Sequence, residues 1–425
     1  MKKIRYMMLS LMAAMLMAMP MQAQNVTNDE VVEAQDDTEV ADSTMLDSLA
    51  ADTLRLPWPE SVQVGIDNLL KSKMFETSQV GIMVWDLEAD SCIYKYNERQ
   101  LMRPASTMKL LTAITALDKL GGSYQFKTQL KYTGTIEEGV LHGDVYCVGG
   151  MDPRFNSDDL AAFVNSLKEM GVDTIRGKVY ADRSMKDADL LGEGWCWDDD
   201  NPVLSPLVFS RKDIFMDRFL AKLKDAGIEY EEMYASTKAC PSNAFTICTR
   251  FHTMDQVLHK MMKESDNLYA ESMYYQIAAS TGNKWASAKS ARNVERQLIR
   301  KIGLDPARYK LADGSGLSLY NYLSAELEVK LLRYAYLNGN IMDHLKHSLP
   351  IGGVDGTLKK RMKNSFVHGN VKAKTGTLTG IISLAGYCTA ANGHELCFAI
   401  INNGIMHGNN ARHFADKVCT LLCQP

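Results

Sequence analysis

The chain predicts an α+β fold, one antiparallel sheet flanked by helices and interrupted by a small β-rich lobe. Three observations carry this. Strand-like runs stand near both ends of the 425 residues, apolar residues at helical spacing fill much of the interval, and short strands with Gly and Asp turns cluster at about 131–210. The length suits two domains or one large domain with an insertion.

The elements follow in order. Residues 1–23 have the form of a secretory leader, with "MKKIR" basic, "YMMLSLMAAMLMAM" apolar and "MQAQ" offering a cut after Ala23. The apolar run is short for a span of about 20 residues, so no integral membrane segment is expected after cleavage, and export to the periplasm is. Residues 24–58 are acidic and poor in aromatics, a composition that does not offset its own ordering entropy. They are expected to form a disordered tether. "QVGIMVWDLEADSCIYKYNERQ" then reads as two strands around an acidic turn. Met108, Leu111, Ile114 and Leu117 share one face of a helix.

The stretch from Lys131 to Ser210 reads as the inserted lobe, its short strands accompanied by one helix at "DDLAAFVNSLKEMG". Residues 59–130 and 211–425 would then form the main domain. Helical patterns resume at "DIFMDRFLAKLKDAGI" and continue through "MDQVLHKMMKESDNLYAESMYYQIAA" and "SAKSARNVERQLIRKIG". "NVKAKTGTLTG", "IISLAGYCTA" and "HELCFAIINNG" are consecutive strand-like runs, and "NARHFADKVCTLLCQ" closes the chain as a helix. In "GYCTAANGHELCFAI", Asn392-Gly393 reads as a two-residue hairpin turn, which would set Cys388 opposite Cys397. A disulfide there and two reduced thiols packed as small hydrophobes are both open.

A net charge of −4 gives no general pull toward nucleic acid or anionic membrane. The nine cysteines show no paired metal-ligand spacing, the nine histidines form no H-E-x-x-H, and no Walker-type loop is present. No metal, nucleotide or other cofactor is expected.

Chemistry is suggested by three short motifs. In "PASTMK", Ser106 and Lys109 lie one helical turn apart and so on one face. A desolvated lysine there would lose its proton and serve as base to the serine. Alone the pair is weak, since a chain this long carries on the order of one S-x-x-K by chance, and an N-cap serine with a solvated lysine explains it. "ESDN" adds Ser265, Asp266 and Asn267, and "KTGT" adds Lys374, Thr375, Gly376 and Thr377 in a strand. S-x-x-K, S-D-N and K-T-G in this order are the signature of the penicillin-binding-protein and serine β-lactamase superfamily.

Beyond these motifs, "GVLHGDVYCVGGMDPRF", "GEGWCWDD", "LADGSGLS" and "LPIGGVDGTLKKRM" spread the resemblance over about 80–405. The chain resembles the D-alanyl-D-alanine carboxypeptidase/endopeptidase family of the penicillin-binding-protein-4 (DacB) type, peptidase family S13. The resemblance implies a transpeptidase-like fold and an acyl-enzyme formed on Ser106 from the D-Ala-D-Ala terminus of peptidoglycan stem peptides, with β-lactams as covalent inhibitors. It implies Lys109 as base, Ser265 as proton relay, Asn267 as a ligand of the peptide backbone and Lys374 as the positive charge of the network. Thr375 and Thr377 would bind the terminal carboxylate, and the N–H groups of Ser106 and Thr377 would hold the oxyanion. Gly376 would let the substrate approach as an added strand. Asp199 would face an amino group of the substrate, unless it is a surface or capping aspartate.

Two departures stand out. A lobe that relatives carry between the GW-W block and the S-x-N helix is missing, and Leu319 follows "DGSGLS" where relatives often have arginine. A β-lactamase is the rival enzyme, but no E-x-x-x-N follows "SDN" at suitable distance. A non-catalytic peptidoglycan-binding scaffold is the other alternative, against which the intact motifs argue.

Overall fold

The computed structural model describes residues 56–197, 201–231, 236–363 and 366–424. The expected leader, nearly all of the expected tether, and Asp199 lie outside the described residues. Helix α1 (Glu60–Leu69) leads into strands β1 (Gln79–Asp86) and β2 (Ser91–Tyr96). A 3₁₀ turn, Ala105–Thr107, runs directly into α2 (Met108–Leu120). The sequence pattern suggested a one-faced helix. Instead every residue from Met108 to Leu117 is buried, because α2 is enclosed by neighbours on all sides, a setting that overrides amphipathic spacing.

The lobe follows with β3 (Gln125–Tyr132), β4 (Val145–Val148), α3 (Ser157–Glu169), β5 (Val179–Asp182), β6 (Ser236–Thr237) and β7 (Phe245–Thr253). These strands form one five-stranded sheet in the order β6-β5-β4-β3-β7. The sheet therefore reaches past the 131–210 drawn from sequence on both sides, since β3 pairs with β7 across more than a hundred residues and such long-range pairing leaves no local mark. Its core is Leu130, Cys147, Phe155, Phe163, Phe215 and Phe219 among others. Asn156 starts α3 with a capping box closed by Asp159.

The chain then returns through α4 (Met254–Lys263), α5 (Asn267–Ala279), α6 (Ala288–Lys301) and α7 (Ala325–Tyr336). Strands β8 (Lys372–Leu378), β9 (Ile381–Thr389) and β10 (Glu395–Asn403) precede the closing helix α8 (Gly408–Cys423). The main sheet is antiparallel with the order β8-β9-β10-β1-β2, so strands from both ends of the chain do share it. One face, with Met83, Ala385, Tyr387, Cys397 and Ala399, packs on α2, α4, α5 and α7. The other, with Val84, Leu384, Cys388, Phe398 and Ile400, packs on α1 and α8. Burial on both faces explains why these strands read as nearly continuous apolar runs.

The β9–β10 hairpin differs from the expected two-residue turn. Ala390 N–H donates to His394 O at 2.9 Å and Gly393 N–H to Ala390 O at 2.9 Å, with Gly393 at φ +88°. This is a three-residue loop with glycine in the left-handed position. The register moves by one residue, so that Cys388 stands opposite Leu396 and Tyr387 opposite Cys397. A one-residue slip exchanges the faces of a strand, and the two thiols point into separate cores. Both are free, and no disulfide joins them.

Candidate active site

The three motifs meet at the edge where β8 passes the start of α2. Ala105 has φ +50° and Ser265 φ +59°, a backbone region that costs a non-glycine residue energy and clusters at functional sites. Gly316 fits against Ala105 because a Cβ there would lie 1.8 Å from Ala105 O. The serine at position 106 is half-buried, while Lys109 and Lys374 are fully buried.

Lys109 Nζ lies 2.9 Å from Ser106 Oγ, 2.7 Å from Asn267 Oδ1 and 2.8 Å from the carbonyl of Ser315. The last two partners can only accept. A neutral amine has two N–H groups and one lone pair, so those acceptors take both hydrogens and the lone pair faces the Ser106 hydroxyl. Burial pushes the ammonium down to about 8, against the opposing pull of the Asp313, Glu271 and Asp266 carboxylates. Geometry and desolvation thus both favour a lysine able to take a proton from Ser106.

Lys374 Nζ donates to Ser265 Oγ at 2.8 Å and to Thr375 O at 2.8 Å. Asp266 caps α5 by accepting from Leu268 N–H at 2.9 Å, which fixes Ser265 and Asn267 on either side of it. Thr375 donates its hydroxyl to Thr357 at 2.7 Å, and Thr377 is exposed at the open side of β8. All of Ser106, Lys109, Ser265, Asn267, Lys374, Thr375, Gly376 and Thr377 are therefore gathered into one constellation.

Gly376 also has a packing reason, separate from the substrate approach expected of it. A Cβ there would sit 2.0 Å from Ser383 Oγ, 2.7 Å from Pro104 O and 3.0 Å from Ser106 N. The glycine lets β8 press against the turn that carries Ser106, with Ser383 donating to Pro104 O at 2.5 Å behind it. Gly376→Ala is expected to destabilise the fold by about 1–3 kcal/mol through overpacking, measured by denaturant unfolding. An unchanged midpoint would mean that the turn has room to move.

Sequence reasoning left Glu271 without a role and read "DGSGLS" (Asp313 to Ser318) either as a wall of the site or as a tight structural turn. Glu271, four residues after Asn267 and so on the same helical face, accepts from Gly314 N–H at 3.0 Å and Ser315 N–H at 2.8 Å. It holds the loop whose carbonyl binds Lys109, and burial followed by the Asp313 charge lifts its carboxyl to about 8. Asp313 organises the rest of "DGSGLS", accepting from Gly316 N–H at 2.8 Å, Ser318 N–H at 2.7 Å and Trp195 Nε1 at 2.8 Å. The glycine-rich loop is thus both a tight turn and a wall of the site. At the arginine-less position, Leu319 O instead accepts from Arg103 Nε at 3.0 Å.

The model of the D-Ala-D-Ala carboxypeptidase 3 (S13) family matches residues 62–208 and 203–424, which is most of the chain. The chain belongs to that family. Among curated relatives, the D-alanyl-D-alanine carboxypeptidase DacB of Haemophilus influenzae is 25% identical over 83% of this chain and 90% of its own. The D-alanyl-D-alanine carboxypeptidase of Actinomadura sp. is 26% identical over 80% of each chain. The crystal structure of penicillin binding protein 4 (dacB) from Haemophilus influenzae, complexed with a β-lactam, superposes with a TM-score of 0.72 at 25% identity. It covers 85% of this chain and 100% of that one. The α+β class expected from sequence is that of this S13 member. Among the described residues no helix is long and apolar enough to cross a membrane.

Proposed function

We propose that this S13 member is a serine-type D-Ala-D-Ala carboxypeptidase that cleaves peptidoglycan stem peptides through an acyl-enzyme on Ser106. The observation that carries the reading is Lys109 Nζ, fully buried and held 2.9 Å from Ser106 Oγ by two acceptors that leave its lone pair for the hydroxyl. Ser106 Oγ attacks the carbonyl of the penultimate D-alanine and its proton passes to Lys109. The oxyanion rests on the N–H groups of Ser106 and Thr377. The C–N bond then breaks, and the leaving amine takes a proton through Ser265, whose hydroxyl is poised by Lys374. Asn267 orients the peptide, while Lys374, Thr375 and Thr377 attract the terminal carboxylate. Water hydrolyses the ester and restores Ser106. A cross-linked peptide enters the same acyl-enzyme, so D,D-endopeptidase action follows from the same groups. A β-lactam carbonyl meets the same nucleophile. The work is done in the periplasm, to which the leader at 1–23 would deliver the chain.

The test is incubation with a fluorescent penicillin, followed over hours by intact mass and peptide mapping. One adduct per chain on the Ser106 peptide, stable for hours, together with D-alanine release from a D-Ala-D-Ala peptide, is the expected result. Rapid loss of the adduct would mean a β-lactamase, and absence of both adduct and D-alanine release would overturn the reading.

A further inference from the structure

On the face of the main sheet away from α2, a cluster of thiols stands apart from the site. Cys388 on β9 and Cys419 and Cys423 on α8 are all buried in the core that α1 and α8 build against the sheet. Cys419 and Cys423 are four residues apart and so share one face of the helix. The helix packs on β9, and the Cys388 thiol is hydrogen-bonded to the Cys423 thiol. Cys397 lies in the opposite core, so the thiols that Cys388 meets are those of α8. All of these cysteines are free in the structure.

A single buried cysteine is an inert small hydrophobe. Three together are a different case, because two neighbouring thiols can be oxidised to a disulfide. Among the described residues no group of three or more His, Cys, Asp and Glu side chains is placed to hold a metal ion, which leaves thiol chemistry. Two thiols in hydrogen-bond contact need only side-chain rotation and a small approach to reach the S–S length of about 2 Å. Cys423 is also the last residue of α8, where a helix frays and admits a reagent.

We propose that Cys388 and Cys423 form a disulfide that fastens the closing helix α8 to β9. The oxidant is a disulfide-bearing thiol compound. The Cys423 thiolate attacks one of its sulfurs and expels the first thiol, and the Cys388 thiolate then attacks Cys423 Sγ and expels the second. The two cysteine protons end on the two thiols released. The bond encloses the β9–β10 hairpin and α8, and so limits the freedom of the unfolded chain. It backs the strand that sets Leu384 opposite Thr375 and Ser383 opposite Gly376, without entering the site. Its formation in the cell rests on the export reading above, since disulfides persist in the periplasm, whereas its geometry does not.

The test treats the purified full chain with oxidised glutathione, blocks remaining thiols with iodoacetamide after unfolding, and maps the cysteines by mass. The expected product is two hydrogens lighter, with the Cys388 and Cys423 peptides recovered joined. Its melting temperature should rise by several degrees, fall back on treatment with a phosphine reductant, and fail to rise in Cys388→Ser. Cys423→Ala serves as a second variant, and penicillin labelling of Ser106 reports that each is folded. Separate alkylation of Cys388 and Cys423, a bond from Cys388 to any other cysteine, or the same thermal gain in a folded variant would overturn the proposal. If the purified chain forms the bond but the chain isolated from expressing cells keeps its leader and all its thiols, the cross-link stands and the export reading has failed.

Discussion

Alanine at Ser106 or at Lys109 is expected to abolish both penicillin labelling and D-alanine release, each lowering the acylation rate by a factor on the order of 10⁴ or more, and the double variant should be no worse than either. The two side chains act as one unit. Without Ser106 no atom is available for the ester, and without Lys109 the hydroxyl loses the one group placed to take its proton. Removing Lys109 also frees Asn267 Oδ1 and Ser315 O, which it now holds at 2.7 and 2.8 Å. Measured acylation rates for the three variants decide this. If Lys109→Ala is acylated nearly as fast as the unaltered chain, the nucleophile–base pairing is wrong.

The same geometry sets a pH dependence. Lys109 must be neutral to accept the Ser106 proton, and burial has brought it down to about 8. The acylation rate should therefore rise as pH is raised through about 8 and level off above it. A limb near the ordinary lysine range, above 10, would mean that Lys109 is not the base.

The motifs were legible because each carries its chemistry in consecutive residues, and their convergence follows from a sheet assembled from both ends of the chain. What escaped had no local signal. The β9–β10 turn contains Asn-Gly, as a two-residue turn does, yet Gly393 occupies the third loop position, and one residue of slip sends Cys388 and Cys397 to opposite faces. The lobe's bounds were too narrow because β3 and β7 pair across a long interval. For Gly376 the sequence suggested substrate approach but gave no sign of the packing constraint, in which the atoms that exclude a side chain belong to Ser383, Pro104 and Ser106. Close backbone packing of this kind is set by tertiary contacts, not by the strand's own residues. Glu271 could have been found from its i+4 relation to Asn267, but not the loop that it holds.

Glu271 carries the second large effect. Glu271→Ala is expected to destabilise the fold by about 2–5 kcal/mol, because it leaves the Gly314 and Ser315 N–H groups buried without an acceptor. With the loop released, the Ser315 carbonyl no longer fixes Lys109, and acylation should fall by at least tenfold beyond any loss of folded protein. Glu271→Gln separates the acceptor from the charge. Its amide oxygen keeps both N–H partners, and it resembles the protonated acid that burial favours. The folded-state pKa of Glu271 is raised above that of the unfolded chain, so the stability this proton contributes is full below about 4.5 and is lost as pH rises through about 8. Glutamine does not titrate. The melting temperature of Glu271→Gln relative to the unaltered chain should therefore become more favourable as pH rises from 5 to 8. The ionised carboxylate of Glu271 also raises the Lys109 pKa, so removing it should move the rising limb of the acylation profile to lower pH. A melting difference that does not change between pH 5 and 8 would show that Glu271 is ionised in the folded chain as in the unfolded one, and a limb that stays in place would show that its charge does not act on Lys109.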